Sequence, residues 1–253
     1  MKLQDFSNWL DELLEPEAFE DFCVDGLCVE ASAEVSRVVT GVSFRDGLID
    51  AAIADGADCI VVHHPNGFWK GEPRIPVGRY GARLGKLFRH GISLYGFHLP
   101  LDGHPQIGNN ALIAKALRME VRQGFMREGE RSVGAIASPE RPLSKGEFLS
   151  RVSEAFVHGV RDAFMFGSET IGRVAICSGG GASGIDEAVR LGCDAFVTGE
   201  IKESVPIACE ELGFNLVSCG HHRTEIFGVR ALAEKIESDL KIPARFVDLD
   251  NPI

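Results

Sequence analysis

The chain alternates between short runs of β-branched residues and helical stretches that end in glycine. VVTGVS (38–43) precedes DGLIDAAIADG (46–56), and ADCIVVHH (57–64) follows it. YGARLGKLFRHG (80–91) then predicts a helix, and ISLYGFH (92–98) predicts another strand. Because this alternation is typical of β-α-β units, we predict an α/β fold with a largely parallel sheet covered by helices.

The second half repeats the same order of elements. LIDAAIADGADCIVVHH aligns with GIDEAVRLGCDAFVTGE, which places His63 and His64 opposite Gly199 and Glu200. The next helix and strand of each half pair through Gly91 with Gly213 and Leu94 with Leu216, which brings His98 near the position of His221. Two unrelated β-α-β units could look this much alike, but we favour a duplication. We therefore predict two similar, intertwined α/β halves with mostly parallel or mixed sheets.

We predict an N-terminal half over residues 1–125, a connecting segment over 126–168 and a C-terminal half over 169–253, together forming one compact unit. Within the connecting segment, SVGAIA predicts a strand and PLSKGEFLSRVSEAF predicts a helix. Ser144 and Glu147 have the spacing of a capping box at the start of that helix.

Composition excludes several classes of partner. The net charge is −11, from 26 basic and 37 acidic residues, and no basic run is present, so a nucleic-acid surface is not expected. The N-terminal MKLQDFSNWLDELL predicts an amphipathic helix, and no stretch is apolar enough for a membrane span. The seven scattered cysteines indicate reduced thiols, so we expect a cytoplasmic protein without disulfides.

Polar residues stand at the predicted strand ends. They are His63, His64, His98, Glu200 and His221. Open α/β sheets bind ligands beyond the carboxyl ends of their strands, so one cleft could collect all five. Adjacent histidines on a continuing strand would face opposite sides, but Pro65 turns the chain and lets both rings face the cleft.

These residues suggest two metal ions. The imidazole and carboxylate groups come from four short motifs. These are HH (His63 and His64), HLPLD (His98 and Asp102), TGE (Glu200) and HHRTE (His221 and Glu225). His221 and Glu225 would share a helix face if a helix begins at HHRTE, so Glu225 could bridge two ions. A pair of cations about 3.5 to 4 Å apart lowers the pKa of a shared water. Zinc, iron, manganese, cobalt and nickel all suit such ligands.

Two other features have simpler interpretations. A structural role is favoured for His90, His104 and His158 taken singly. The glycine-rich turn CSGGGASG (177–184) could cradle a phosphate, although it lacks a Walker lysine, and the alternative is a tight strand-to-helix turn.

Several motifs occur together in a recognisable order: VVHHPNGFW, YGFHLPLD, GNNALIAKAL, VAICSGGGASGIDEA, GCDAFVTGE and GHHRTE. In this order the chain resembles the dinuclear-metal-centre proteins called GTP cyclohydrolase 1 type 2 homologues, which are Nif3-like. The similarity runs from FEDFCVDGLCVE (19–30) nearly to the end.

The resemblance implies a ring-shaped homohexamer with two divalent metal ions per chain. Its metal ligands correspond to His63, His64, Asp102, His221 and Glu225. His98 then belongs to the pocket as a catalytic or supporting group, and Glu200 lies close by without being a ligand.

The chain departs from the family pattern in the pocket. Asn66 and Gly67 stand between HHP and the aromatic pair, and Leu99 replaces the threonine usual after the pocket histidine. His222 stands where an aromatic residue is common and could add a third imidazole. These changes leave the ligands in place but alter the pocket on which substrate choice depends.

Our leading hypothesis is a metal-dependent hydrolase that acts on a nucleotide, a phosphoester or a cyclic amide, with GTP ring opening as one candidate reaction. His98 and Glu200 would move protons. The rival hypothesis is a metal-binding, metal-delivery or scaffold protein without turnover.

Overall fold

The computed structural model describes residues 1–71 and 75–253. Its helices are α1 Leu3–Leu14, α2 Asp46–Asp55, α3 Gly78–His90, α4 Leu99–Gly103, α5 Asn109–Ala116, α6 Lys145–Ala155, α7 Ile185–Arg190, α8 Ser204–Leu212 and α9 His221–Leu240. Its strands are β1 Gly26–Val29, β2 Val38–Ser43, β3 Cys59–His64, β4 Ser93–Gly96, β5 Met119–Glu128, β6 Arg131–Pro139, β7 Leu143–Ser144, β8 Asp162–Met165, β9 Thr170–Ile171, β10 Val174–Cys177, β11 Ala195–Thr198, β12 Asn215–Ser218 and β13 Ala244–Phe246. Short 3₁₀ turns cover Pro16–Ala18 and Gly181–Gly184.

The chain divides into two compact units. The first comprises Met1–Leu101 and Gly228–Leu249, and the second comprises Asp102–Phe227 and Asp250–Ile253. In the first unit, five strands form a sheet in the order β1-β4-β3-β2-β13. Strands β13, β2, β3 and β4 run parallel, whereas β1 is antiparallel to β4, so the sheet is mixed.

The second unit contains a six-stranded sheet in the order β5-β6-β10-β11-β12-β8 and a small β7-β9 pair. Strands β10, β11 and β12 are parallel to one another, and the remaining strands pair antiparallel. The chain is therefore an α/β protein with two mixed sheets, as predicted at this level. In each unit the parallel strands follow the chain in the order strand, helix, strand, helix, strand.

Apolar side chains explain why these elements form. In the first unit, Ile60 and Val62 of β3 pack with Leu48 and Ile49 of α2. In the second unit, a separate core includes Ile176, Val197 and Val217 from the three parallel strands. The predicted amphipathic helix is confirmed as α1, which buries Phe6, Leu10 and Leu14. Among the described residues, no helix combines the length and apolar character required to cross a bilayer.

The segment 126–168 contains more sheet structure than its sequence indicates. It supplies β6, β8 and the last residues of β5 to the six-stranded sheet, and it also contains β7 and α6. The division by packing falls at 101/102, 227/228 and 249/250. The predicted division into 1–125, 126–168 and 169–253 stays a prediction.

All seven cysteines are present as thiols. Six of them are buried, and Cys28 is partly exposed. Burial raises the pKa of the Cys209 thiol to about 11 and that of Cys219 to about 12. The neutral thiol is therefore the resting form of these two side chains, which act as small apolar groups in the core.

The predicted capping box is present at the start of α6. Ser144 Oγ accepts a hydrogen bond from Glu147 N at 3.2 Å, and Glu147 Oε2 accepts one from Ser144 N at 2.9 Å.

We expect Ser144→Ala to lower the free energy of unfolding by about 1 kcal/mol, because it leaves an amide at the helix start unsatisfied. Urea denaturation would measure this. Ser150→Ala, at an exposed position of the same helix, is the control, and an equal loss in both variants would contradict the capping explanation.

Candidate metal centre

His63 and His64 end β3, the strand between β2 and β4. Their ring centroids lie 4.6 Å apart, although adjacent side chains of a regular strand point to opposite faces. The chain turns directly afterwards, where Phe68 N donates to Pro65 O at 2.8 Å. Pro65 packs against Gly96 so closely that a Cβ there would lie 2.5 Å from Pro65 Cγ. The chain therefore leaves the regular strand geometry at the point where the rings of His63 and His64 lie close together.

Hydrogen bonds to the Nδ1 atoms orient both rings. His63 is fully buried, and its Nδ1 lies 3.1 Å from the carbonyl oxygen of Phe97. Because a carbonyl oxygen only accepts, Nδ1 carries the proton and Nε2 carries the lone pair in the neutral ring. His64 Nδ1 lies 3.4 Å from Ser43 Oγ, on the neighbouring strand β2. Ligand histidines are commonly held in this way by their other nitrogen.

His98 joins this pair from the turn after β4. Its ring centroid lies 5.0 Å from that of His63 and 5.5 Å from that of His64. Its Nδ1 lies 3.0 Å from Asp21 Oδ1, and its backbone N donates to Asp25 Oδ1 at 2.8 Å. Two carboxylates from the segment before β1 therefore anchor the side chain and the backbone of His98.

The two carboxyl groups have different protonation behaviour. Burial alone would raise the pKa of Asp21, but hydrogen bonds from His98, Leu99 and Cys23 outweigh it and hold the pKa below its usual value. Burial and the neighbouring charge of Asp21 raise the pKa of Asp25 to about 7. Asp21 is therefore the ionised member of the pair at neutral pH.

The three imidazoles fit a metal site by their chemistry and spacing. One ligand atom of each of His63, His64 and His98 lies within 4.8 Å of the other two. Two nitrogens bound to one zinc ion at about 2.0–2.1 Å stand roughly 3.3 Å apart, so modest side-chain movement would bring this group onto an ion. Imidazole nitrogen suits zinc, iron, copper and nickel.

Two aromatic side chains border the imidazoles. The ring of Phe22 lies 5.3 Å from that of Trp69 and 5.0 Å from that of His98. Trp69 lies 5.4 Å from His98 and 5.9 Å from His64, measured between centroids. Phe22 is 58% exposed, whereas Phe68 of the altered HHPNGFW loop is buried. The loop thus places one aromatic residue in the core and the next beside the histidines.

In the second unit, His221 lies between two carboxylates. Helix α9 begins at His221, which meets the condition for the two residues to share a helix face, and His221 Nε2 lies 3.0 Å from Glu225 Oε1 one turn along. His221 Nδ1 lies 3.3 Å from Glu200 Oε1. Burial alone would lower the pKa of His221, but Glu225 and Glu200 outweigh it and raise the pKa to about 9. Because an imidazolium cannot ligate, a cation that binds His221 competes with a proton at neutral pH.

Asp102 is buried within a polar network of the second unit. Its Oδ1 accepts hydrogen bonds from Ser178 Oγ at 2.7 Å and from Asn109 Nδ2 at 2.8 Å. Asn110 Oδ1 in turn accepts from Ser178 N at 2.8 Å. The network ties the carboxylate to α5 and to the turn after β10.

The glycine-rich turn after β10 is packed against the His221–Glu225 pair. A Cβ on Gly179 would lie 2.3 Å from Glu225 Oε1 and 3.1 Å from His221 Nε2. Gly179 N donates to Thr224 Oγ1 at 2.9 Å, and its carbonyl accepts from Gly199 N and Glu200 N. The Gly179 amide is therefore used within the protein, which favours the tight-turn interpretation over a phosphate cradle.

The predicted site residues fall into two sets. The first unit brings together His63, His64 and His98, and the second brings together Glu200, His221 and Glu225 while holding Asp102 in its own network. His98 lies directly among the imidazoles. The side chain of His222 is buried in α9.

His104 has the structural role favoured for it, and the sequence analysis missed two residues of the site. His104 Nδ1 accepts from Gln106 N and Ile107 N, both at 3.1 Å, so it closes a loop. Asp21 and Asp25 were missed, although both lie in FEDFCVDG, where the family resemblance begins. Two carboxylates four residues apart in a stretch without clear periodicity were the available signal.

Comparisons with known proteins agree with these observations. The model of the Duf34/NIF3 (NGG1p interacting factor 3) family matches residues 1–252. A protein of Escherichia coli K12 called "GTP cyclohydrolase 1 type 2 homolog" is 38% identical over 254 residues, covering 100% of both chains. A protein of the same name from Allochromatium vinosum is 39% identical and covers 99% of this chain and 97% of its own.

Solved structures extend the similarity to the whole fold. One described as protein ybgI, of unknown function, has a TM-score of 0.93 at 37% identity and covers 100% of both chains. The protein TTHA1606 from Thermus thermophilus has a TM-score of 0.89 at 30% identity, again over 100% of both chains. The matched length and identity leave one conclusion, that this chain belongs to the Duf34/NIF3 family.

Proposed function

We propose that this protein is a metal-dependent hydrolase that binds two divalent cations per chain. The ligands are His63 and His64 in the first unit and Asp102, His221 and Glu225 in the second. The observation that carries the proposal is the cluster of three imidazoles, in which one ring nitrogen each of His63, His64 and His98 lies within 4.8 Å of the other two. His63 and His64 would hold a cation, and His98 would stand beside it. His63 is held by the Phe97 carbonyl and His98 by Asp21, as expected for histidines at a metal centre.

The donor set favours transition metals over magnesium or calcium. Nitrogen ligands suit zinc, iron, cobalt and nickel, and the carboxylates of Asp102 and Glu225 also suit manganese. We therefore propose a mixed nitrogen and oxygen site whose metal is set by availability.

His98 and Glu200 move protons in this proposal. The cations, when bound, supply positive charge that lowers the pKa of a water and stabilises a developing oxyanion. His98 has the hydrogen-bonding pattern of a general base, because one ring nitrogen lies against the carboxylate of Asp21. Glu200, 3.3 Å from His221 Nδ1, lies beside a ligand and can accept a proton there.

The chemistry of the donor set and the name of the relatives support the substrate classes that we propose. A charged, water-activating centre suits a phosphoester, a nucleotide or a cyclic amide. The relatives' name supports testing GTP ring opening first.

We also propose that the chain forms a ring-shaped homohexamer. The repeated order of parallel strands in the two units supports a further proposal, that the chain consists of two similar, intertwined halves. The metal site would then lie at the carboxyl ends of their strands.

Metal content tests the proposal. We expect about two equivalents of metal per chain in tag-free protein, falling to one or none in Glu225→Ala, because this carboxylate would bridge the ions. Elemental mass spectrometry of both proteins measures this. Glu234→Ala, an exposed position on the same helix, is the control and should retain the wild-type content. Metal near zero in the wild type, even after anaerobic purification and reconstitution, would exclude the proposed function.

The variant His98→Ala distinguishes a hydrolase from a metal carrier, because only a hydrolase has turnover to lose. In the hydrolase, the variant retains both ions and loses turnover of GTP or of a phosphoester. A metal-delivery or scaffold protein has no turnover to lose. Wild-type protein with both ions present and no activity across these substrate classes would favour the carrier.

A further inference from the structure

We propose that Asp21 is the positioning residue of the site: its carboxylate fixes the tautomer of His98, with the proton on Nδ1 and the lone pair on Nε2. The inference rests on the proposed function only in that His98 is assigned to the site.

The hydrogen bonds around Asp21 determine which ring nitrogen of His98 carries the proton. Oδ1 accepts from Cys23 N at 2.9 Å, and Oδ2 accepts from Leu99 N at 2.7 Å. His98 Nδ1 lies 3.0 Å from Oδ1 and 3.2 Å from Oδ2, so it faces both oxygens. Since each oxygen already accepts a backbone amide, an ionised carboxylate satisfies all the donors, and His98 Nδ1 must carry the hydrogen.

Burial makes this arrangement rigid. The Asp21 side chain is 1% exposed, and the His98 side chain is 12% exposed. The bond from Leu99 N fixes the residue after His98, while Asp25 Oδ1 fixes the backbone amide of His98 itself. The histidine therefore has little freedom to turn its ring, and the atom that it presents to His63 and His64 is Nε2.

An amide cannot replace this carboxylate. In Asp21→Asn, the NH₂ group would face either Cys23 N or Leu99 N, both of which are donors. His98 Nδ1 faces both of these positions, so a hydrogen donated by the NH₂ group favours the tautomer with the proton on Nε2, which removes the lone pair that faces the cluster. An aspartate-to-asparagine change in a serine-protease triad acts in the same way, by holding its histidine in the wrong tautomer.

The test uses nuclear magnetic resonance of metal-free, full-length protein with ring-labelled histidine. The measurement is made near pH 8.5, above the ordinary histidine pKa of about 6.5. The His98 signals are identified by their loss in His98→Gln. We expect wild-type His98 to be protonated at Nδ1 alone, and Asp21→Asn to shift the proton mainly to Nε2. Asp50→Asn, an equal charge change at an exposed ion pair with Lys86, should leave the wild-type tautomer.

Each outcome decides the inference. Wild-type His98 protonated at Nε2, or an unchanged tautomer in a folded Asp21→Asn protein, would overturn it. If Asp21→Asn fails to fold, the wild-type tautomer alone decides, and Asp21→Glu, which retains the charge, should preserve protonation at Nδ1. A purely structural role for Asp21 would affect stability without moving the ring proton. Because no metal is added, failure of metal binding or turnover would exclude the proposed function and leave this inference standing.

Discussion

Replacing His63 by alanine is expected to weaken metal binding by about 100-fold or more, with at least one equivalent of metal lost from the purified protein. The free energy that holds a structural zinc ion is of the order of 10–16 kcal/mol, shared among about four ligands, so one ligand contributes several kcal/mol. His63 is fully buried with its Nδ1 on a backbone carbonyl, so a neighbouring side chain cannot easily take its place.

The matched control is another histidine in the part of the chain that the structure describes. His104→Ala removes an imidazole that accepts two backbone amides in a loop, so it should lower stability slightly and leave metal affinity within about twofold of wild type. Competition titration with a chromophoric chelator compares the two variants. Equal metal affinity in His63→Ala and wild type would remove His63 from the ligand set and leave the histidine cluster without its proposed role.

The strands and helices around the site are predictable because local signals agree there. CIVVHH is β-branched and is preceded by a helix that ends at Gly56, whose φ of 66° suits glycine. The polar residues at the end of such a run stand out because the preceding strand is apolar. The same contrast identifies Glu200 and His221 at the ends of β11 and β12.

Other features depend on contacts that periodicity does not encode. His98 and Asp21 are 77 residues apart in sequence, and no local pattern indicates that they meet. Strand β5 was not predicted because MEVRQGFMRE is mostly polar and exposed, and its pairing with β6 contains a register shift. In the second half, the segment that aligns with α2 forms only the short helix α7, which a 3₁₀ turn precedes because glycines occupy positions 181 and 184.

The glycine-rich turn shows how one pattern can have two physical causes. Glycines between a strand and a helix admit either a phosphate or a close neighbour from the same chain. Here the neighbour is the carboxylate of Glu225, which is 2% exposed. The sequence contains both CSGGGASG and GHHRTE, but only the folded chain shows that Gly179 of the first motif packs against Glu225 of the second.

Replacing Gly179 by alanine should therefore damage stability and the site together. Gly179 has a φ of +58°, which costs an alanine about 1–2 kcal/mol, and the new Cβ would lie 2.3 Å from Glu225 Oε1. We expect a loss of about 2–4 kcal/mol in the free energy of unfolding, since strain and a steric clash add. Glu225 must move to relieve the clash, so metal affinity should also fall, by about tenfold or more.

Gly146→Ala is the matched control, because a Cβ there meets nothing within 4 Å and the position lies in α6. It should raise the free energy of unfolding by about 0.5–1 kcal/mol through helix propensity and leave metal binding unchanged. Urea denaturation of the metal-free proteins separates strain from metal loss, since no ion contributes to either curve. A Gly179→Ala protein that loses stability but binds metal as tightly as wild type would show that Glu225 moves without cost to the site, and Glu225 would then not be the bridging ligand.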